Sequence, residues 1–377
     1  MHASQSSSPR EKGAATLSPM SSPRHGRRVN VRRRQRVVAV LVALLVVLTV
    51  LAVKQHFSPS TPTSTATSTP PSSSSSTSTT VPPHAPYAVG SITFDINEPA
   101  ANGLAARTLP TTVRYPIAGS PGGVDIVGAP PLREAKPYPL VVFSQGFDIS
   151  PEAYARLLTS WAAAGYVVAD PAYPFTSPNA PGGVVRTDIV HHPADLSYVI
   201  TSLLADSTAA SGTLSGLIDA NEIGVIGQSD GGDVALAAVA NSCCRDPRVK
   251  AAIILSGAEL SWFHGSYFTT PNTPLLVVQG TNDLTMNPVT CSVQLYNEAT
   301  QPKYYLSMIG QTHLSAYVPP GPAQNVVTQV SIDFLNAYLR HSTSALAALH
   351  VAGNVAGLST ITSQTTLAPV AGTCPDG

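Results

Sequence analysis

Charge is scarce in this chain. Lysine, arginine, aspartate and glutamate together make up 11% of its 377 residues, against about 25% in an average soluble protein. There is no G-x-G-x-x-G and no G-K-[ST], so neither the dinucleotide fingerprint nor the phosphate loop can be read from it. Only four cysteines occur, Cys243, Cys244, Cys291 and Cys374. No C-x-x-C is present and no cysteine stands with histidines at zinc spacing, so no metal site and no cofactor is expected. The formal charge is zero, but it hides a split. Before Pro86 there are ten Lys/Arg against Glu11 alone, a net of +9, and from Pro86 onward the net is −9. An acidic larger part argues against nucleic acid as its partner.

What is present begins with the basic segment. Residues 1–36 are rich in Ser, Pro and Arg, and read as a disordered cytoplasmic tail. Residues 37–53 (VVAVLVALLVVLTVLAV) have Thr49 as their only polar member. As a helix they span about 26 Å, slightly under a ~30 Å hydrocarbon core. Arg36 and Lys54 can snorkel to cover the difference. The expectation is a single membrane-spanning helix or signal anchor, with the rest of the chain extracellular. A cleaved signal peptide is the alternative, and would leave a secreted protein. Residues 54–86 form a Ser/Thr/Pro-rich linker that cannot bury a core. Residues 87–377 are left for one domain.

Asn221–Leu236 (NEIGVIGQSDGGDVAL) is the stretch around which that domain is organised. A short apolar run, Ile223–Ile226, leads into Gly227-Gln228-Ser229-Asp230-Gly231, and a helix of small and aliphatic residues follows. G-x-S-x-G between a strand and a helix is the setting of a nucleophile elbow. Chance alone would produce the string about 0.2 times in such a chain, so its weight comes from context.

The remaining elements supply that context. Val89–Phe94 and Thr111–Tyr115 read as edge strands, with a turn around Asn102-Gly103 between them. Gly119–Pro131 reads as a loop, and Pro139–Ser144 (PLVVFS) as a buried strand. Ser150-Pro151-Glu152 reads as a capped helix start, with Tyr154, Leu157, Leu158 and Trp161 on one buried face and Gly165 as its C-cap. Strands follow at Tyr166–Ala169, Ala251–Leu255, Pro274–Val278 and Tyr304–Met308, with helices around Ala194–Leu204 and over roughly Ala323–His350. Alternation of this kind predicts an α/β domain, with a mostly parallel central sheet and helices on both faces.

A serine hydroxyl needs a base, and the base needs an acid to orient it. Asp283 follows the strand two after the elbow strand, in Gln279-Gly280-Thr281-Asn282-Asp283. His313 follows the next strand, in Gly310-Gln311-Thr312-His313. The order Ser229, Asp283, His313 is the one this topology demands. Two backbone donors are expected to face the reacting oxygen: the N–H of Asp230 and that of Phe147, in the turn after Pro139–Ser144. Glu259 is the rival acid, and His191, His192 and His264 are rival bases, read as surface or rim residues. Asp195 reads as a cap or salt-bridge partner, and Asp230 itself as no more than an acid at a helix N-terminus.

SQGF after a strand, GQSDGG, QGTND and GQTH resemble, in position and order, the landmark sites of the α/β-hydrolase superfamily. The resemblance covers roughly Val89 to His350. It is nearest to compact esterases: cutinase-type polyester hydrolases, dienelactone hydrolases and platelet-activating-factor acetylhydrolases. Ala106–Pro116 resembles an early strand of the last group, and Asn282–Asn297 the acid loop and helix of cutinase-type enzymes. The chain departs at Gln145, where many relatives have histidine, and at Asp230, where methionine or leucine is commoner. The resemblance implies an α/β-hydrolase fold and a Ser-His-Asp esterase or lipase acting on small-molecule, lipid or polyester esters. It also implies that Gln145 and Trp262 line the substrate pocket. An acyltransferase acting on envelope lipids or sugars, or a non-catalytic envelope-binding protein, would fit the same fold.

Two further expectations concern covalent structure and access. An exported domain favours disulfides. Cys243 and Cys244 follow the elbow helix, near the amino edge of the sheet, whereas Cys291 lies nearer the carboxyl edge. Cys291–Cys374 is therefore the expected pair, leaving Cys243 and Cys244 as a vicinal pair or free. Gly257–Asn272 is too short for a helical lid, so a small cap or none is expected, on a monomer.

Overall fold

Apolar runs of five to seven residues, punctuated by Gly, Pro and Asn, build the centre of the molecule. In the computed structural model, which describes residues 87–101, 104–270 and 273–374, they join one ten-stranded sheet. The strands are β1 (Ala88–Glu98), β2 (Arg107–Ile117), β3 (Asp125–Val127), β4 (Tyr138–Ser144), β5 (Val167–Pro171), β6 (Ile218–Gln228), β7 (Val249–Leu255), β8 (Leu275–Gly280), β9 (Lys303–Met308) and β10 (Ser359–Thr362). Their order across the sheet is β10-β9-β8-β7-β6-β4-β5-β2-β1-β3. Strands β5 to β9, with β4, run parallel, while β2 and β10 join antiparallel at either end of that set. The basic tail, the apolar run 37–53, the linker 54–86 and the Asn102-Gly103 turn lie outside the described residues. Among the described residues no helix is long and apolar enough to cross a membrane.

Six helices cover the two faces: α1 (Ala155–Ala163), α2 (His192–Thr208), α3 (Asp230–Ala240), α4 (Val289–Glu298), α5 (Pro322–Leu339) and α6 (Thr343–Gly353). Side chains alternate along a strand, so each parallel strand feeds two cores. Leu140 and Val142 of β4 pack with α2, α3 and α4, through Leu196, Val234 and Leu295 among others. Val141 and Phe143 point the other way, to Leu157 and Trp161 of α1 and Phe334 of α5. Both sides of these strands are fully buried, which is why they read as unbroken apolar runs rather than alternating ones.

The first strands behave differently from the sequence reading. β2 is not an edge. β3, three residues inside what reads as the Gly119–Pro131 loop, pairs parallel with β1 over Val89–Ser91. β2 carries two buried arginines. The Arg114 guanidinium binds Asp125 of β3 at 2.6 Å and Asp170 of β5, and Thr159 of α1 donates to the same Asp125 at 2.6 Å. Arg107 binds Asp188 and lies 3.5 Å from Asp195, which makes Asp195 an ion-pair partner inside α2. β3 and β5 supply the acids for Arg114, and the turn and helix that follow β5 supply those for Arg107.

Other boundaries move for local reasons. Ser150 makes no side-chain cap, and a 3₁₀ turn, Pro151–Tyr154, precedes α1. Gly165 ends α1 at φ +94°, a value that favours glycine. The C-terminal helix breaks in two at His341, which takes φ +55°. After α6 the chain returns as β10 and then runs along α4. Tyr296 donates to Gln364 O at 2.6 Å, Leu367 N–H to Asn297 Oδ1 at 2.7 Å, and a Cys291–Cys374 disulfide closes the strap with Cα atoms 4.8 Å apart. Cys243 and Cys244 form a vicinal disulfide.

Candidate active site

The strand order reverses at β4: β5 lies on one side of it and β6 on the other. Such a switch point opens a crevice beyond the carboxyl ends of the two central strands. Ser229 sits there, between β6 and α3, with φ +58° and ψ −128°. Few residues other than glycine adopt that conformation, and it persists only because the surroundings fix it. The surroundings are tight. A Cβ on Gly227 would meet the carbonyl oxygen of Gly231, and one on Gly231 would meet the carbonyl oxygen of Ser144. The Ser229 N–H donates to Leu255 O at 2.9 Å, which ties the elbow to β7.

Three side chains meet in a line. Ser229 Oγ is 2.7 Å from His313 Nε2, and His313 Nδ1 is 2.6 Å from Asp283 Oδ2. A carboxylate only accepts, so Nδ1 carries the proton and Nε2 is left to accept from the serine hydroxyl. Asp283 is buried and also accepts from the Asn287 N–H at 3.3 Å, while Gln279 Nε2 stands 3.4 Å from Oδ2. The two loops that supply the acid and the histidine are stitched together by Asn282 N–H to Gln311 O at 2.8 Å and Gly310 N–H to Thr281 Oγ1 at 2.8 Å.

The turn after β4 closes on the serine. A Cβ on Gly146 would stand only 3.2 Å from the Cβ of Ser229. Asp230 opens α3, so its N–H has no acceptor within the helix. Asp148 N–H, by contrast, is taken by Thr176 O at 2.9 Å, which fixes the turn that contains Phe147. Gln228 ties the elbow to the histidine loop and to the turn before α1. Its Oε1 accepts from Tyr154 Oη at 2.6 Å and its Nε2 donates to His313 O at 3.1 Å. Neither Gln228 nor Tyr154 carries a sequence signal, because the brace exists only across 74 and 85 residues of chain.

Several sequence readings take another place. Gln145 is buried, and its amide lies between Ser177 Oγ at 3.1 Å and, in the orientation that satisfies both ends, Pro171 O at 2.7 Å. His192 is not at the surface: it is buried, stacks on Tyr173 with ring centres 3.8 Å apart, and burial pushes its imidazole below the usual range. Glu259 stands away from the histidine, beside Gln294, and burial together with Glu298 raises its carboxyl to about 7. Trp262 is half-buried at the start of the β7–β8 connection. Asp230 is gripped by Arg186, with Nε to Oδ2 at 2.9 Å and Nη2 to Oδ1 at 2.8 Å. Among the described residues no three His, Cys, Asp or Glu side chains are grouped to hold a metal ion.

A mostly parallel sheet of this order, with helices on both faces and the elbow at the switch point, is that of an α/β hydrolase. Residues 188–352 match the model of a family described as PETase, PET hydrolase-like, which identifies the chain as a carboxylic ester hydrolase of α/β-hydrolase type. The matched span carries Ser229, Asp283 and His313. It stops short of Phe147, Gln145 and Arg186. No curated protein matches the chain.

Proposed function

We propose that the chain is a membrane-tethered extracellular serine esterase that cleaves bulky or polymeric carboxylic esters through an acyl-enzyme. Ser229 Oγ attacks the ester carbonyl and gives its proton to His313 Nε2, and Asp283 stabilises the imidazolium that forms. The N–H groups of Asp230 and Phe147 receive the oxyanion. His313 then protonates the leaving alcohol, and a water repeats the sequence to release the acid. The observation that carries this reading is the line Asp283–His313–Ser229, with contacts of 2.6 and 2.7 Å at the switch point.

The mouth supports the substrate class. Among its described residues the β7–β8 connection holds no helix, and Tyr267 within it bridges back to Asn241 at the end of α3. Phe175, Val185, Leu284, Met286, Ile309 and Leu314, all in loops at the carboxyl edge, are exposed. An apolar rim around an open site suits an ester embedded in an apolar or insoluble phase. The tether rests on the apolar run 37–53 and the Ser/Thr/Pro linker 54–86.

A fluorophosphonate probe tests the chemistry. The wild-type chain is expected to label at Ser229 and to hydrolyse aryl esters. S229A is expected to lose both with its melting temperature within a few degrees of wild type. Turnover retained in purified S229A would reject this serine as nucleophile.

A further inference from the structure

A carboxylate beside a forming oxyanion is an electrostatic liability, and Asp230 stands next to the nucleophile in sequence with its side chain only 8% exposed. Asp233, one turn on, is a second buried acid, held by the Ala258 N–H at 2.6 Å. The residue whose N–H is assigned to the oxyanion is thus itself an acid, with a second one turn on in α3. The balancing charge comes from outside the elbow. Arg186 begins the 3₁₀ turn Arg186–His191 between β5 and α2, and grips both oxygens of Asp230. Its guanidinium also lies over the Trp262 ring, 5.3 Å from the centre. The turn that carries it is anchored by Asp188, through the buried Arg107.

We propose that Arg186 is a positioning residue for ester hydrolysis, acting through Asp230. Its planar fork cancels the carboxylate beside the oxyanion hole and keeps the Trp262 wall of the mouth in place. Lysine would supply the charge without the two-point grip. The inference rests on the oxyanion assignment above. It goes beyond that assignment by placing a charge-balancing group before residue 188, outside the span that matches the family model.

A double-mutant cycle on a soluble aryl ester tests it, with kcat, KM and melting temperature measured for R186Q, D230N, the double variant and R186K. R186Q is expected to lower kcat about tenfold to a hundredfold with KM changed far less, because the uncancelled charge opposes the transition state rather than substrate binding. D230N is expected to lose less than R186Q. The double variant is expected to recover most of the R186Q loss, since no charge remains to be cancelled. R186K, which keeps the charge but not the two-point grip, is expected to lose less than R186Q, and it serves as the reading should R186Q melt below the assay temperature. If D230N costs as much as R186Q and the double variant is no better than either, the pair is only a strut for its loop and the proposal fails. A loss in R186K as large as in R186Q would also defeat it. S229A run alongside separates the two levels: residual turnover there rejects the active-site reading, whereas a cycle without recovery rejects only the role of Arg186.

Discussion

On one side of β4, β2 takes Arg107 and Arg114 into the interior and surrounds each with carboxylates from neighbouring elements. On the other side, β7 and β8 bury Ala, Ile, Leu and Val, and the acids wait until the chain has left the sheet, at Asp230 and Asp283. The exception there is Lys303 of β9, whose ammonium donates to the Tyr296 and Ala299 carbonyls at 2.5 Å and so caps the end of α4. Buried charge therefore does two jobs in one sheet. In the first region it locks strands together and touches no substrate. In the second it includes Asp230 and Asp283, beside the strand ends of the proposed active site. Losing a charge should cost stability in the first region and rate in the second.

The largest effect expected is on rate. D283N and H313A should each lower turnover by about 10⁴-fold while melting within a few degrees of wild type. A large fall in melting temperature would blur the division, and an E259Q variant more damaging to rate than D283N would move the acid elsewhere. Next comes R114M, on the opposite side. It strands Asp170 and Asp125 without their cation, and should cost about 3–5 kcal/mol in denaturant melts while turnover per folded molecule is unchanged.

A smaller loss is expected for C374S. Without the Cys291–Cys374 bond, which spans 83 residues, stability should fall by about 2–4 kcal/mol. Because the strap lies along α4, just beyond the acid loop, hydrogen exchange should rise first in α4. The smallest effect is a pH slope. Glu259 has its carboxyl raised from 4.5 to about 7 by burial and by Glu298. Between those two values the folded chain holds a proton that the unfolded chain releases. Glu259 therefore adds stability that is fully present below about pH 4.5 and lost as pH rises through about 7. E259Q should flatten that slope, read from urea melts at the two ends of the window.

The second region was the legible one. PLVVFS, AAIIL and PLLVV read as strands because both of their faces are buried, and GQSDGG announced a turn that only glycine-flanked residues can make. Asp283 and His313 could be picked because parallel strands deliver their loops to one edge. The first region hid its structure. DIV has no apolar pattern of its own and becomes β3 only by pairing with β1. In the second region the same holds only at its outer end, where STIT becomes β10 against β9. Arg107 and Arg114 gave no sign of burial, because their partners at Asp125, Asp170 and Asp188 lie up to 81 residues away. Arg186 was hidden for the same reason: its partner, Asp230, is 44 residues on.

The elbow itself sets one part of the molecule against another. Ser229 holds a backbone conformation that an ordinary side chain avoids, at a cost of about 1–3 kcal/mol. Glycine would relieve it and abolish the nucleophile in the same stroke. A screen for heat tolerance that ignored turnover would therefore be drawn to the proposed nucleophile itself, and selection for durability must find its gains elsewhere, in the ion-paired strands or along the disulfide strap.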